Sequence, residues 1–480
     1  MGNIKTWSQQ TDANPAQIYD YEYDRADQLE FATLKNPGGT VLKRYRYDYD
    51  PAGNRAIEQI DGAVTASTFD NMNRLTAQVP GGALVFRGTT NEPATVTVAT
   101  NPASTTAGNQ FTGSVAVASG TTNVAVKATD PNGNIRTNTY QVSESGATKN
   151  FTYDPNGNLT GDGTKTYIWD GADRLVEVKQ GATSLAAFNY NGRGLRGNKI
   201  VGGASITYIY DGQNFLEERP NAGVTIRYVY GLGIDDALAQ VVGSTPSYYL
   251  TDHLGSVVRL TENAGNAAVT REYDPWGSLL QGSGTSGYAF SGREWDAEIG
   301  LNYQRARFYV PSIGRWASED PLAMQPGAPI RFQLGKFQYV GNRPTVETDR
   351  LGLATDCRNP CQAKNISNGD AGGVVCCDGV KWACAWAQLP PTAGTVAART
   401  LRTCSTIHEV SHWKDIECPC EGISRGMSSN AKASECAAYT KSVACVLRLR
   451  PQCNGDRICE YYVDDMLRQW TNLRNANCAP

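Results

Sequence analysis

A short phrase, an aromatic residue followed by Asp and then by turn-forming residues, recurs along the first three quarters of the chain. Seven copies are YDRADQL, YDPAGNR, FDNMNRL, YDPNGNL, WDGADRL, YDGQNFL and YDPWGSL, beginning at Tyr23, Tyr49, Phe69, Tyr153, Trp169, Tyr210 and Tyr273. Asp can cap a turn through its side chain, and Gly or Asn can adopt the positive φ that tight turns need. Alternating residues flank the phrase, as in KTYIWDGADRLVEVK. The repeat therefore predicts antiparallel hairpins that stack into one long sheet.

This phrase resembles the tyrosine–aspartate (YD) repeats of the Rhs family. The most specific motifs lie in residues 248–353, namely YYLTDHLGSVVRLTENAGN, REYDPWGS, FSGREWDAEIGLNYQRARFYVPSIGRWASEDPL and YVGNRPTVETDRLGL. They are similar to the core signature that closes Rhs proteins, and the resemblance covers most of residues 15–353. It implies a β shell, here short for full enclosure, followed by a variable C-terminal toxin.

Residues 87–144 interrupt the repeat. They are rich in Val and Thr that alternate between turn residues, as in EPATVTVAT and GSVAVASGTTNVAVKATDPNGN. This pattern favours an immunoglobulin-like β sandwich inserted between two shell segments, residues 1–86 and 145–247. Additional shell strands are the alternative. A lone histidine of the core, His253, is predicted to be structural.

Two aspartates near the end of the core suggest a self-cleavage site. In the Rhs family the core ends with two Asp-Pro-x-Gly phrases, and an aspartyl-type activity cuts just after the second. Here DPLA begins at Asp320 and DRLG begins at Asp349, so that Ala and Arg replace a usual Gly and Pro. The resemblance implies cleavage after Leu353, with Arg315 holding a carboxylate or the substrate carbonyl. The alternative is that both aspartates only cap turns.

The last part of the chain has a different composition. All thirteen cysteines lie between Cys357 and Cys478, which places a domain boundary near residue 353 and a separate domain at 354–480. Their spacing does not form the paired CxxC sets of a zinc ribbon, so disulfides are favoured over metal ligation. Because a cytosol would keep them reduced, we expect this protein to be secreted or delivered out of the producing bacterium.

No secretory signal peptide is visible, so we expect either that a dedicated machinery moves this protein or that the chain is the tail of a larger one. The first residues, MGNIKTWSQQTDANPAQ, have no apolar core, and no apolar run is long enough for a membrane span. The net charge of -3 gives no sign of nucleic-acid binding.

The tail contains one motif that is typical of zinc chemistry. In STIHEVSHWKDI, His408 and His412 are four residues apart with Glu409 between them. On a helix the two imidazoles project from one face and can bind one ion, while Glu409 can face the metal-bound water. This is the HExxH arrangement of zinc metallopeptidases, in which the Glu is the general base. A surface helix without chemistry is the alternative.

A zinc site of this kind needs a third protein ligand. Glu435, in the second helical stretch NAKASECAAYTKSVACVLRL, is the predicted one. In these motif residues the segment resembles the gluzincin peptidases, where a Glu on a following helix completes the site. Asp415 would orient His412 without itself binding the metal. Tyr439 would share the face of Glu435 and could donate to an oxyanion, although a core position suits it equally.

The sequence thus predicts a mainly β chain, with a YD-repeat antiparallel β shell, an inserted immunoglobulin-like sandwich and a small α-rich, disulfide-stapled, zincin-like domain. The predicted function is an Rhs-type polymorphic toxin that carries a Zn²⁺-dependent endopeptidase. Its expected partners are a protein substrate in a target cell, a cognate immunity protein and a delivery machinery. The alternative is a shell with a non-catalytic, disulfide-rich binding module for adhesion or carbohydrate contact.

Overall fold

The structure is a computed structural model. It describes residues 3–10, 16–231, 235–321, 323, 335–353, 372–377, 380–385, 423–425, 431–453 and 457–478. The chain divides into two compact units, residues 2–355 and residues 356–480. We call them the β unit and the C-terminal unit.

Two antiparallel sheets dominate the β unit. The first has eight strands in the order β1 to β7 followed by β15. Its strands are β1 (Thr6–Gln9), β2 (Gln17–Tyr23), β3 (Leu29–Lys35), β4 (Val41–Tyr49), β5 (Arg55–Ile60), β6 (Ala63–Phe69), β7 (Leu75–Pro80) and β15 (Lys149–Asn150).

The second sheet has fourteen strands in sequence order. They are β16 (Thr152–Tyr153), β17 (Leu159–Gly161), β18 (Thr166–Trp169), β19 (Leu175–Gln180), β20 (Thr183–Tyr190), β21 (Arg196–Val201), β22 (Ala204–Asp211), β23 (Asn214–Pro220), β24 (Ile226–Tyr230), β25 (Ala237–Val242), β26 (Thr245–Thr251), β27 (Val257–Glu262), β28 (Ala267–Tyr273) and β29 (Leu279–Gly282). The prediction of a mainly β chain with long antiparallel sheets is confirmed.

A small sandwich interrupts the repeats. Its strands are β8 (Gly82–Thr89), β9 (Thr95–Val98), β10 (Asn101–Pro102), β11 (Ser104–Thr106), β12 (Gln110–Val117), β13 (Gly120–Thr129) and β14 (Ile135–Glu144). One sheet has the order β10-β9-β13-β14 and the other β11-β12-β8. Both contribute valines to one buried cluster, as expected for packed sheets. The first strand begins at Gly82, before the predicted start at residue 87.

The end of the β unit is a compact five-stranded sheet. Its strands are β30 (Gly287–Tyr288), β31 (Glu294–Asp296), β32 (Leu301–Gln304), β33 (Arg307–Val310) and β34 (Arg315–Trp316), with 3-10 helices at Phe290–Gly292, Pro311–Ile313 and Val340–Asn342. Aromatic side chains of this sheet pack with those of the two long sheets in two buried clusters. The core motifs are thus the centre around which the repeats pack.

The repeated Asp forms the hairpin turns as predicted. At Asp170, Oδ1 accepts hydrogen bonds from the amides of Ala172 (2.9 Å) and Arg174 (3.0 Å). The residue between them, Asp173, has a positive φ of 56°. The same pair of bonds occurs at Asp24, Asp50, Asp70, Asp252 and Asp274. In each of these turns one carboxylate therefore accepts from two backbone amides.

Tyrosine hydroxyls connect neighbouring hairpins, a feature that the sequence did not predict. Each donates to a backbone carbonyl of an earlier strand, in the pairs Tyr49–Leu29, Tyr190–Leu175, Tyr210–Arg196, Tyr230–Phe215 and Tyr273–Val257, at 2.6–2.9 Å. These bonds recur along both long sheets. The aromatic residue therefore acts by packing and by hydrogen bonding.

The described part of the C-terminal unit contains strands and helices. The strands are β35 (Gly372–Cys377), β36 (Val380–Ala385) and β37 (Ile423–Arg425), and the helices are α1 (Ala431–Leu449) and α2 (Arg457–Cys478), joined by a 3-10 turn at Arg450–Cys453. The two α helices pack against each other. Of the helices in the described residues, neither is long and apolar enough to cross a membrane.

Candidate functional site

The candidate site is built on the buried hairpin of β32 and β33. Every residue of these two strands is buried. Arg307 begins β33, and its guanidinium carbon lies 4.0 Å from the centre of the Trp316 ring. Its Nη1 donates to the carbonyl of Lys336 at 3.0 Å. The hairpin therefore holds one fully buried guanidinium in a fixed orientation.

Two aspartates that are 29 positions apart in sequence meet at this guanidinium. Nη2 of Arg307 lies 2.9 Å from Oδ2 of Asp320 and 3.3 Å from Oδ2 of Asp349. Both aspartates are buried, at 3% and 2% exposure. Burial lowers the pKa of Arg307, and the attraction of the two carboxylates only partly offsets this. The structure thus brings together the two aspartates that the sequence singled out.

The segment after Asp349 folds back onto the same hairpin. The amides of Gly352 and Leu353 donate to Oδ1 of Asp349 at 2.9 and 3.3 Å. The carbonyl of Gly352 accepts from Nε of Arg307 at 2.5 Å. The carbonyl of Leu351 accepts from the amide of Ala306 at 3.0 Å. The chain immediately before the predicted cleavage point is therefore held by the site itself.

Gly352 is required by this geometry. Its φ is 66°, a conformation that side chains disfavour. A Cβ at this position would lie 2.1 Å from the carbonyl oxygen of Gln304 and 2.8 Å from the amide nitrogen of Arg307. Both are backbone atoms of the hairpin, so a small side-chain movement cannot make room. The glycine therefore allows the segment to approach the hairpin closely.

The structure places Arg315 elsewhere, and this corrects its predicted role. Its Nη1 donates to Oδ1 of Asn54 at 3.0 Å and its Nη2 to the carbonyl of Asn73 at 2.5 Å. The guanidinium lies 4.9 Å from the centre of the Phe69 ring, and burial lowers its pKa to about 10. Arg315 thus ties the end of the core to the first sheet, whereas Arg307 contacts the aspartates. Sequence alone could not rank these arginines, because they lie close together along the chain.

This arrangement can carry acid–base chemistry. In acid–base hydrolysis of a peptide bond by a pair of carboxyl groups, one group is ionised and the other keeps a proton. The ionised group can accept a proton from water, and the protonated group can donate one to a leaving amine. The peptide bond that follows Leu353 is adjacent to an amide bound by Asp349.

His253 lies in another part of the β unit. Its Nε2 is 3.0 Å from the carbonyl oxygen of Thr345, and its ring centre is 5.3 Å from that of Trp7. These contacts connect the first strand, the long second sheet and the end of the core. They agree with the structural role predicted for this histidine.

The predicted zinc site lies largely outside the described residues. His408, Glu409, His412 and Asp415 belong to that part of the chain, and Glu435 is described only as a backbone position in α1. Within the described residues, no group of three or more His, Cys, Asp or Glu could hold a metal ion. The zinc site therefore stays a prediction.

The described part of the C-terminal unit has a buried helix face. On α1, Ala438 and Val446 are fully buried, and Tyr439 is half-buried. Met466 and Trp470 of α2 are buried, as on the apolar face of an amphipathic helix. Cys445 and Cys478 are each disulfide-bonded.

Comparison with known proteins gives relatives among bacterial toxins. The chain is 30% identical over 214 residues to "tRNA(Glu)-specific nuclease WapA" of Bacillus subtilis subsp. natto. The aligned region covers 42% of this chain and 9% of that protein. It is 26% identical over 248 residues to "Double-stranded DNA deaminase toxin A" of Burkholderia cenocepacia. That alignment covers 42% of this chain and 17% of that protein. The chain therefore spans less than a fifth of the length of either relative.

A solved structure also matches. It is the Tc holotoxin pore of Photorhabdus luminescens with a TccC3 mutation, with 19% identity, a TM-score of 0.36, and coverage of 72% of this chain and 18% of that one. No family model matches the chain. The sequence relatives show that this chain is similar to bacterial toxins with enzymatic activity.

Proposed function

We propose that this chain is a polymorphic toxin whose β unit cuts its own backbone after Leu353 and releases the C-terminal unit. The observation that carries the proposal is the pair of buried aspartates on one nitrogen of Arg307. A second contact supports it, since Asp349 also binds the amide of Leu353, directly before the proposed cut.

In the proposed reaction, one carboxylate of the pair accepts a proton from water as the oxygen attacks the carbonyl carbon of Leu353. The other carboxyl group donates its proton to the amide nitrogen of Ala354 as the peptide bond breaks. The products are a carboxylate at Leu353 and a free amine at Ala354. Arg307 holds the two aspartates and the carbonyl of Gly352, and so fixes the strand beside them.

Intact-mass measurement of the purified protein tests this proposal. We expect a fragment that begins at Ala354, and we expect Asp320→Asn and Asp349→Asn each to leave the chain uncut. Glu319→Gln is the matched control, because Glu319 is the neighbouring, half-buried carboxylate and pairs with Lys336 at 3.0 Å instead. Release of the fragment from both Asn variants would contradict the proposal.

We further propose that the released unit is a zinc endopeptidase. The support is the spacing of His408, Glu409 and His412, with Glu435 on the following helix α1. Two imidazoles and a carboxylate are a donor set that zinc accepts, and a zinc ion bound there would polarise a peptide carbonyl and acidify water. Glu409 would hold the proton of that water, Asp415 would orient His412, and Tyr439 would donate to an oxyanion.

Metal analysis and a proteolysis assay on the full chain test this second proposal. We expect stoichiometric zinc in the parent and in Glu409→Gln, and its loss in His408→Ala. We expect degradation of unfolded casein by the parent only. Because relatives are a tRNA nuclease and a DNA deaminase by name, total tRNA and double-stranded DNA serve as comparison substrates. Modification of nucleic acid without proteolysis would overturn the peptidase proposal and leave the self-cleavage proposal untouched.

The proposed toxin function implies three kinds of partner, namely a delivery machinery, a protein substrate and an immunity protein. A toxin of this kind would be delivered out of the producing bacterium by a specialised machinery and would meet a protein substrate in the target cell. A cognate immunity protein would protect the producer. Co-purification of the uncut chain with a small protein expressed from the same operon would support this.

A further inference from the structure

The inserted sandwich is closed at one end and open at the other. Along β14, alternate residues face the core, and the last of these, Val142 and Glu144, are buried at 7% and 4% exposure. Tyr140 belongs to the same face and is 46% exposed. The two sheets therefore cover this face at the carboxy-terminal end of β14 and leave it open towards the amino-terminal end of the strand.

Strand register identifies what lines the opening. Arg136, Asn138 and Tyr140 lie on the face of the buried valines, because Tyr140 pairs with Val124 and Asn138 pairs with Val126. Residues on this face would be apolar in a closed sandwich. Instead, an arginine, an amide and a phenol occupy them, and all three are exposed at the opening.

The opposite sheet completes a pocket. Phe86 of β8 packs against Tyr140, with ring centres 5.5 Å apart, and Phe111 of β12 lines the same space. The pocket encloses a volume of about 480 Å³. This volume is within the range of small-molecule sites, roughly 300–1,000 Å³.

The polar groups of this pocket are available to a ligand. Among the described residues, the side chains of Arg136 and Asn138 make no hydrogen bond or ion pair with protein. Arg87 in the wall is paired with Glu22 at 2.9 Å. The lining contains Arg87 and Arg136 against Glu92 and Asp130, and Arg87 is already paired, so the lining has no excess of positive charge.

We propose that this pocket of the inserted sandwich binds a neutral saccharide. A sugar ring has an apolar C–H face, which can pack on the exposed ring of Tyr140, and an edge of hydroxyl groups, which can accept from Arg136 and Asn138. A wholly apolar ligand would remove water from these two groups without replacing its hydrogen bonds. An anionic ligand would find no excess of positive charge in this lining.

Calorimetric titration of the full chain tests the proposal with three hexasaccharides, which are built from glucose, N-acetylglucosamine and galacturonic acid. We expect one of the neutral sugars to bind with a Kd of about 1 mM or tighter. Tyr140→Ala should weaken this binding about tenfold, the effect of losing one stacked ring. Tyr248→Ala is the control, because Tyr248 is equally exposed, at 44%, on strand β26 outside the pocket.

Three outcomes would overturn the proposal. These are no binding of either neutral sugar, equal binding to the parent and to Tyr140→Ala, and tighter binding of the galacturonic acid oligomer than of both neutral ones. None of them affects self-cleavage, since no residue of the pocket contacts the aspartate pair in the described part of the chain. The two proposals therefore stand or fall separately.

Discussion

Gly352→Ala is the substitution that tests the proposed cleavage geometry most directly. A Cβ there would lie 2.1 Å from the carbonyl oxygen of Gln304. Ordinary non-bonded contacts are about 3.5 Å, so the segment must move by roughly 1 Å or more. The positive φ of 66° adds about 1–2 kcal/mol of conformational strain. A misplacement of this size near reacting groups slows a reaction by roughly a hundredfold.

A cell-free translation reaction provides the assay, because cleavage can be followed from the moment the chain is complete. We expect the fragment that begins at Ala354 to appear about a hundredfold more slowly from Gly352→Ala than from the parent. The control is Gly341→Ala. Gly341 has a similar φ of 60°, but a Cβ there would meet nothing within 4 Å.

The control separates the effect of backbone strain from the effect of moving the segment away from the hairpin. Both variants carry the strain of a left-handed residue, but only Gly352→Ala also forces the segment away from the hairpin. We therefore expect normal cleavage from Gly341→Ala. Cleavage of Gly352→Ala at the parental rate would refute the reasoning, because the segment would then not need its close approach to Arg307.

Two further predictions concern stability. Asp296 binds buried Arg196 and Lys199 at 2.5 and 2.8 Å, so Asp296→Asn should lower the free energy of unfolding by about 3–5 kcal/mol in urea titrations. Burial opposes ionisation of Asp296, but the two cations outweigh it and hold its pKa low. Its contribution should be complete above pH ~4 and be lost as pH falls through the lowered folded-state pKa. Tyr190→Phe removes the bond to the carbonyl of Leu175 and should cost about 1 kcal/mol in the same titrations.

The turns of the repeats could be predicted from sequence because their physics is local. One Asp and a residue with positive φ a few positions later suffice to close each hairpin, and both are visible in the phrase. The bonds between hairpins, such as that from Tyr190 to Leu175, could not be predicted in this way. They depend on the register between neighbouring repeats, which no single phrase specifies.

The candidate site, too, could be predicted from sequence only in part. Asp320 and Asp349 could be found because their positions match a motif, but their partner depends on which arginine the hairpin turns inward. The structure assigns this place to Arg307 and binds Arg315 to Asn54. The side-chain direction follows from the pairing of β32 and β33, and sequence spacing alone does not reveal that pairing.

The same contacts explain why cleavage after Leu353 need not weaken the β unit. The bonds from Ala306 to Leu351 and from Arg307 to Gly352 involve atoms on the amino-terminal side of the cut. The segment that ends at Leu353 would thus stay bound after the reaction, and the aspartates would stay buried beneath it. Among the described residues, the contacts of the two aspartates with Arg307 and with the amides of Gly352 and Leu353 all lie on the amino-terminal side of the cut. We therefore expect the cleaved β unit to be at least as stable in urea as the uncut Asp320→Asn variant, which has lost one carboxylate of the buried ion pair. A lower unfolding midpoint of the cleaved β unit would show that the segment is released.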